Sequence, residues 1–124
     1  MSERGREMLR AFREGRTEAQ ARLESCEHLG IKRFLRLDAA TYEGKQEGTL
    51  DARTQELLGL VASAVLRCDD CITYHVEQCV EHGWTRPEIE DAFNVAMIVG
   101  GSIVIPHTRR ALLVLDALLE ERGG

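Results

Sequence analysis

Proline, aromatic side chains and long apolar runs are all scarce in this chain. Its 124 residues include two Pro, three Phe, two Tyr and one Trp. With 11 Gly, this is little turn chemistry, and β-branched residues are sparse outside short patches. Both features disfavour a β-sandwich or barrel and favour helices. No stretch approaches the roughly 18 consecutive apolar residues of a membrane span, so no membrane partner is expected. The opening MSERGREMLRAFREGR is charged and has no apolar segment of the secretory kind. A cytoplasmic location, where thiols stay reduced, is the expectation. A net charge of −5 argues against nucleic acid as a partner, because phosphates favour a basic face.

What is present describes a globular chain of about one domain's length, 44% hydrophobic and 30% charged. Charge is unevenly spread. Residues 1–36 hold nine Lys/Arg against six Asp/Glu, whereas 37–124 hold seven against fifteen. A solvated N-terminal helix explains this, and so does a basic segment that meets an acidic neighbour.

Residues 2–29 lack Pro and are rich in Arg, Glu, Ala and Leu, good helix formers. Met8, Phe12, Gly15, Ala19, Leu23 and Cys26 form a thin stripe at helical spacing. This predicts one or two peripheral helices, with Gly30 as a C-cap. Residues 34–43 read as a short helix with Phe34, Leu37, Ala40 and Ala39 inward, followed by the loop GKQEGTLD. Thr49 or Asp51 then caps a helix over 52–67 that is apolar almost all round, as suits a bundle centre or an interface. The pattern stays helical from Cys68 to His82, with Asp69 or Asp70 as candidate caps and Gly83 as the stop. Thr85, Pro87 and Glu88 carry a capping-box signature that opens a helix over 86–99. Gly100-Gly101 breaks it, and Ser102 is placed to cap a last helix running to about Arg122, with Pro106 in its first turn. The fold class is all-α, a single domain of five to seven helices. The helix at 52–67 and the broad apolar face of Leu112, Leu113, Val114, Leu115, Leu118 and Leu119 exceed what so small a monomer covers. Homo-oligomerisation is the expected remedy.

The chemistry gathers around Cys68-Asp69-Asp70-Cys71. Two thiols three residues apart at a helix start can close a small disulfide ring, and the helix N-terminus favours a thiolate. In a cytosolic protein this spacing is redox or metal-binding. His75 lies one turn beyond Cys71, within reach of its proton. Cys68, Cys71, His75 and Cys79 cannot all bind one ion while on one helix, since 68 to 79 spans roughly 16 Å. Zinc would need two or three of them plus a distant ligand such as Cys26, His28 or His107, so neither metal nor other cofactor is expected. Glu56 heads an apolar run, where desolvation suits a general base, although a first-turn Glu is also favoured by the helix dipole. Cys79 reads as a buried apolar thiol and His82 as a dipole or capping residue. Trp84 reads as a turn anchor, and Cys26 and His28 as structural or exposed. His107 faces either the active site or an interface.

Glu56, Cys68-x-x-Cys71 and His75 together resemble the AhpD-like (alkylhydroperoxidase D-like) branch of the carboxymuconolactone decarboxylase superfamily. The flanking Glu56-Leu57 through Ala64-Val65, Gly83-x-x-x-x-Glu88-Ile89 and Gly100-Gly101-Ser102 are similar as well. The likeness covers about residues 34–121, dividing the chain into an N-terminal helical extension (1–33) and an AhpD-like core (34–124). It implies a helical bundle with the CxxC at the start of a central helix. It also implies an obligate oligomer, a trimer or a hexamer; with the broad apolar helices, the expectation is a hexamer in preference to a trimer, the active site near a subunit interface and the net basic N-terminal helix across a neighbour. The implied activity is thiol-dependent reduction of hydroperoxides or disulfides. Cys71 would attack, Cys68 would donate a proton and then resolve, and Glu56 and His75 would relay protons. The reductant would be a dihydrolipoyl or thioredoxin-like dithiol protein. One departure stands out: better-known peroxidase members carry a second His at the position of Asp70. Asp69 and Asp70 oppose thiolate formation, which favours either an offsetting local geometry or a slower peroxidase that is better as a disulfide reductase. Alternative readings are a lyase acting on a small lactone or carboxylate through Glu56 and His75, and a non-catalytic oligomeric redox sensor.

Overall fold

The structure is a computed structural model that describes residues 2–123. Six α-helices follow in order: α1 (Glu3–Glu24), α2 (Leu29–Thr41), α3 (Ala52–Leu66), α4 (Asp69–Glu81), α5 (Arg86–Gly100) and α6 (Ile105–Glu121). One 3₁₀ turn at Ser102–Val104 joins the last two, and the described residues contain no strand. This is the all-α architecture expected. No helix among the described residues is long and apolar enough to cross a membrane.

α4 is the central element. It packs against α3 on one side and α6 on the other, with a smaller contact to α1, while α3 also packs on α5. Leu60 of α3, Ile72, Val76 and Cys79 of α4, Ile89 and Phe93 of α5 and Val114 and Leu115 of α6 are fully buried between them. α1 is one continuous helix despite Gly15, and its first half lies along α6. Arg6 pairs with Glu120, and Arg13 bridges Glu77 of α4 and Glu121 of α6. Part of the basic surplus of the N-terminal segment thus meets acidic residues of its own chain. Leu9 is buried and Met8 and Phe12 are half-buried, but Gly15, Ala19 and Leu23 are exposed, so only the first part of the stripe packs.

Three caps follow the sequence closely. The Asp51 side chain accepts from the Thr54 amide at 2.8 Å, and Thr85 and Glu88 form a reciprocal capping box with Pro87 in the first turn. Gly83, at a φ of +81°, takes the left-handed conformation after α4. Elsewhere the expectations need correction. Gly30 does not end a helix; it lies in the first turn of α2, whose N-cap is His28, with Nδ1 accepting from the Gly30 and Ile31 amides. α2 has no buried residue, and Phe34 and Leu37, expected inward, are 66% and 64% exposed. Ala39 and Ala40 are exposed too. The periodicity marks a real apolar face, but no element of the same chain covers it. Ser102 makes no side-chain cap; it opens the 3₁₀ turn, and α6 starts with Pro106 in its first turn.

The break between α3 and α4 was not resolved by periodicity. It is made by Arg67, the one described non-glycine residue in the left-handed region, at a φ of 61°. Its amide donates to the Ala64 carbonyl and that of Cys68 to the Ser63 carbonyl, closing α3. Neither Asp69 nor Asp70 caps α4. Cys68 does, its Sγ accepting from the Cys71 amide at 3.3 Å. The reversal at Arg67 therefore presents the CxxC at the positive end of the central helix.

Candidate active site

Glu56 comes from the second turn of α3, and His75 from the middle of α4. Both are buried, and His75 Nδ1 lies 2.8 Å from Glu56 Oε1. A hydrogen at Nδ1 donated to the carboxylate leaves Nε2 as the ring's free acceptor. The close approach of the two helices depends on Gly59. A Cβ there would sit 2.6 Å from the His75 ring, so only glycine leaves room for the imidazole. A glycine inside an otherwise apolar helix was the sequence signal for this notch.

Cys68 and Cys71 are joined as a disulfide with Cα atoms 5.3 Å apart. Cys68 is half-buried and Cys71 exposed. Cys71 opens into a cleft of about 260 Å³ whose lining includes His75, Tyr42, Tyr74, Arg16 and Asp38. The spacing of 56, 68, 71 and 75 thus brings one buried acid–imidazole pair and one dithiol pair to a single region.

The aromatic walls of this cleft were not anticipated. The Tyr42 ring, at the C-cap of α2, lies 5.5 Å from the His75 ring, and the Tyr74 ring stands edge-on at 5.2 Å. Arg16 of α1 covers Tyr74, with its guanidinium carbon 4.6 Å from the ring centre. Burial pushes both phenols above their ordinary acidity range, and the nearby Glu56 charge adds to the effect. They are neutral hydroxyls at physiological pH.

The remaining residues singled out in the sequence fall into supporting places. Cys79 is fully enclosed; burial first, and the Glu56 charge second, push its thiol up to about 12. Trp84 anchors the α4–α5 turn by donating from Nε1 to the Arg53 carbonyl, with the Arg53 guanidinium 3.4 Å from its ring centre. His82 is the C-cap residue of α4, and its carbonyl accepts from Arg53 Nε. Cys26 is half-buried in the α1–α2 turn. His107 reaches back from α6 to Asp69, beside Cys68. No group of three or more His, Cys, Asp or Glu residues among those described is arranged to hold a metal ion.

Residues 31–114 match the carboxymuconolactone decarboxylase family model. A family protein of Thermotoga maritima, with a suggested involvement in antioxidative response, has a crystal structure that superposes with a TM-score of 0.83. It is 49% identical, over 91% of this chain and 93% of that one. A family protein of Legionella pneumophila shares the fold at a TM-score of 0.74 and 19% identity, over 90% and 96% of the two chains. An uncharacterised protein of Cupriavidus necator is 30% identical over 59% of this chain. Uncharacterised protein 4 of the cox locus of Paracoccus denitrificans is 33% identical over 58%. The match spans 65% of the length of each of these two curated relatives.

Proposed function

The chain belongs to the carboxymuconolactone decarboxylase family, and we propose that it is a thiol-dependent oxidoreductase of the AhpD-like branch, reducing hydroperoxides or disulfides through Cys68 and Cys71. The observation that carries this reading is a CxxC disulfide at the start of α4, with Cys71 sharing a cleft with a His75 held by buried Glu56.

In the reduced protein, neutral His75 takes the Cys71 proton, and Glu56 stabilises the imidazolium through Nδ1. The Cys71 thiolate attacks the terminal oxygen of the hydroperoxide. The O–O bond breaks, leaving a sulfenic acid on Cys71 and an alkoxide that takes the Cys68 proton to become the alcohol. The Cys68 thiolate then displaces hydroxide from Cys71, which accepts the proton held on His75 and leaves as water. The product is the Cys68–Cys71 disulfide. An external dithiol, dihydrolipoyl or thioredoxin-like, reduces it by exchange and is itself oxidised. The exposure of Cys71 and the half-burial of Cys68 support this division of roles. For a disulfide substrate, the same thiolate attacks sulfur instead of oxygen.

A homo-oligomer, a hexamer in preference to a trimer, completes the proposal. It is supported by the uncovered apolar face of α3 and α5, where Leu58, Leu66, Val95, Ile98 and Val99 are all exposed and Ile98 reaches 80%. The exposed apolar face of α2 supports it as well. A cytoplasmic setting would supply the dithiols that keep the pair cycling.

The test is steady-state reduction of a hydroperoxide, and separately of a small disulfide, with dihydrolipoamide or thioredoxin as reductant. Turnover that disappears in Cys71→Ser and Cys68→Ser is the expected result. A folded wild-type protein that turns over neither substrate, or a Cys71→Ser variant at wild-type rate, would overturn the proposal.

A further inference from the structure

Asp69 occupies the first position of α4, next to Cys68, where a carboxylate ordinarily stays beside the positive helix end. It does not do so here. Its Oδ1 accepts from His107 Nδ1 at 2.8 Å and its Oδ2 from Arg110 Nη2 at 2.9 Å, both reaching across from α6. The amide of Cys71, three residues into the motif, is left to donate to Cys68 Sγ. α6 thus engages both oxygens of the carboxylate that directly follows Cys68. Asp70 has no ion-pair partner among the described residues, so Asp69 is the one whose charge is offset.

As an architectural brace this arrangement has little to contribute. The Asp69 and Arg110 side chains are 51% and 46% exposed, a setting in which an ion pair stabilises a fold by no more than about 1 kcal/mol. Its consequence falls instead on the neighbouring sulfurs. A free carboxylate one residue from Cys68 raises the cost of a thiolate there and competes for the amide that stabilises it. We propose that Arg110, assisted by His107, is a positioning residue that keeps the Cys68–Cys71 thiols acidic by drawing Asp69 off the α4 N-terminus. The inference rests on the redox reading of the CxxC and deepens it, since it explains how a motif containing two aspartates can still form a thiolate. The other charged or titratable groups around the pair are Arg16 of α1, Asp38 of α2 and Tyr42 at its C-cap, Glu56 of α3 behind His75, Asp70, Tyr74 and His75 of α4, and Arg67 next to Cys68. They are unchanged by the variants below.

The experiment is iodoacetamide labelling of the reduced full chain over a pH series, read cysteine by cysteine by mass spectrometry, in low and in high salt. Arg110→Gln should raise the midpoint of the more acidic thiol of the pair by about half a unit, an approximately threefold slower labelling at fixed pH below the midpoint. Asp69→Asn should lower it by a similar amount. The double variant Asp69→Asn/Arg110→Gln should return close to wild type, Arg110→Lys should stay there, and high salt should shrink every shift. Arg110→Gln without a shift, single variants that move the midpoint the same way, or a double variant no nearer wild type than Arg110→Gln would overturn the proposal. The readout needs no turnover. An inactive wild type whose thiols still follow this pattern counts against the peroxidase reading alone. An active wild type whose thiols ignore Arg110 counts against this inference alone.

Discussion

The inner and outer walls of the cleft are built in opposite ways. Glu56 and His75 stand on α3 and α4, which pack extensively, and both side chains are buried, with the imidazole seated against Gly59, where a Cβ would collide with it. Tyr42 and Arg16 come from α2 and from the part of α1 beyond its contact with α6, and α2 has no buried residue. The Glu56–His75 pair is therefore fixed by the core of one chain, as the proposed proton relay would require. The wall facing solvent depends on helices whose own apolar faces are uncovered. A second copy of the chain resting on α2 would hold that wall in place, which links assembly to the shape of the cleft without changing the chemistry at its floor.

The largest effects should come from the inner wall. Glu56→Gln and His75→Gln should each slow hydroperoxide turnover by roughly 10²–10⁴-fold. If the two act as a unit, the double variant should be little worse than the poorer single. Stopped-flow rates check this, and additive losses would mean that the residues act separately.

Gly59→Ala is the next largest. Its methyl group would collide with the His75 ring and should cost about 1–3 kcal/mol of stability. Urea unfolding measures the first effect and kcat the accompanying displacement of the imidazole. A variant as stable and active as wild type would show that the notch is incidental.

The outer wall should respond in the reverse manner. Leu37→Glu, on an exposed face of α2, should change the stability of the isolated fold by at most about 0.5 kcal/mol while lowering the assembled mass in light scattering. A wild-type chain that is a stable monomer would break the comparison at this point.

The effect confined to alkaline pH concerns Cys79 in the core. Its native thiol is raised to about 12 from an ordinary 9.0, so the native state keeps a proton that the unfolded chain loses. Its contribution to stability is full below about pH 9 and declines as pH rises from about 9 toward 12. Replacement by Ala should flatten that alkaline slope in denaturant titrations. An unchanged slope would place it on other groups.

Much of this was legible in the sequence for identifiable reasons. Asp51 and the Thr85–Glu88 box start helices through local hydrogen bonds that short motifs encode. Cys68, Cys71 and His75 were visible through helical spacing and Glu56 through the apolar run it heads, with the family resemblance joining the four. What escaped notice depends on tertiary context. Arg67 adopts a left-handed turn without glycine, and the extended backbone after it falls at Cys68, so that Cys68 caps α4 and both aspartates lie within the helix. Phe34 and Leu37 have the pattern of a buried face, yet periodicity records only that a face is apolar and not which chain covers it. Tyr42 lies 33 residues before His75 and gave no motif, so the fold alone brings it to the imidazole, whereas Tyr74 is its sequence neighbour and its edge-on placement follows from α4.

The most direct test of the account is a single oxidation. The fully reduced chain receives one equivalent of hydroperoxide, free thiols are alkylated, and peptides are mapped by mass spectrometry. The account predicts an intrachain Cys68–Cys71 disulfide in most molecules, with Cys26 and Cys79 recovered as thiols. Recovery of Cys68 and Cys71 as free thiols, under conditions that oxidise a control dithiol, would contradict it.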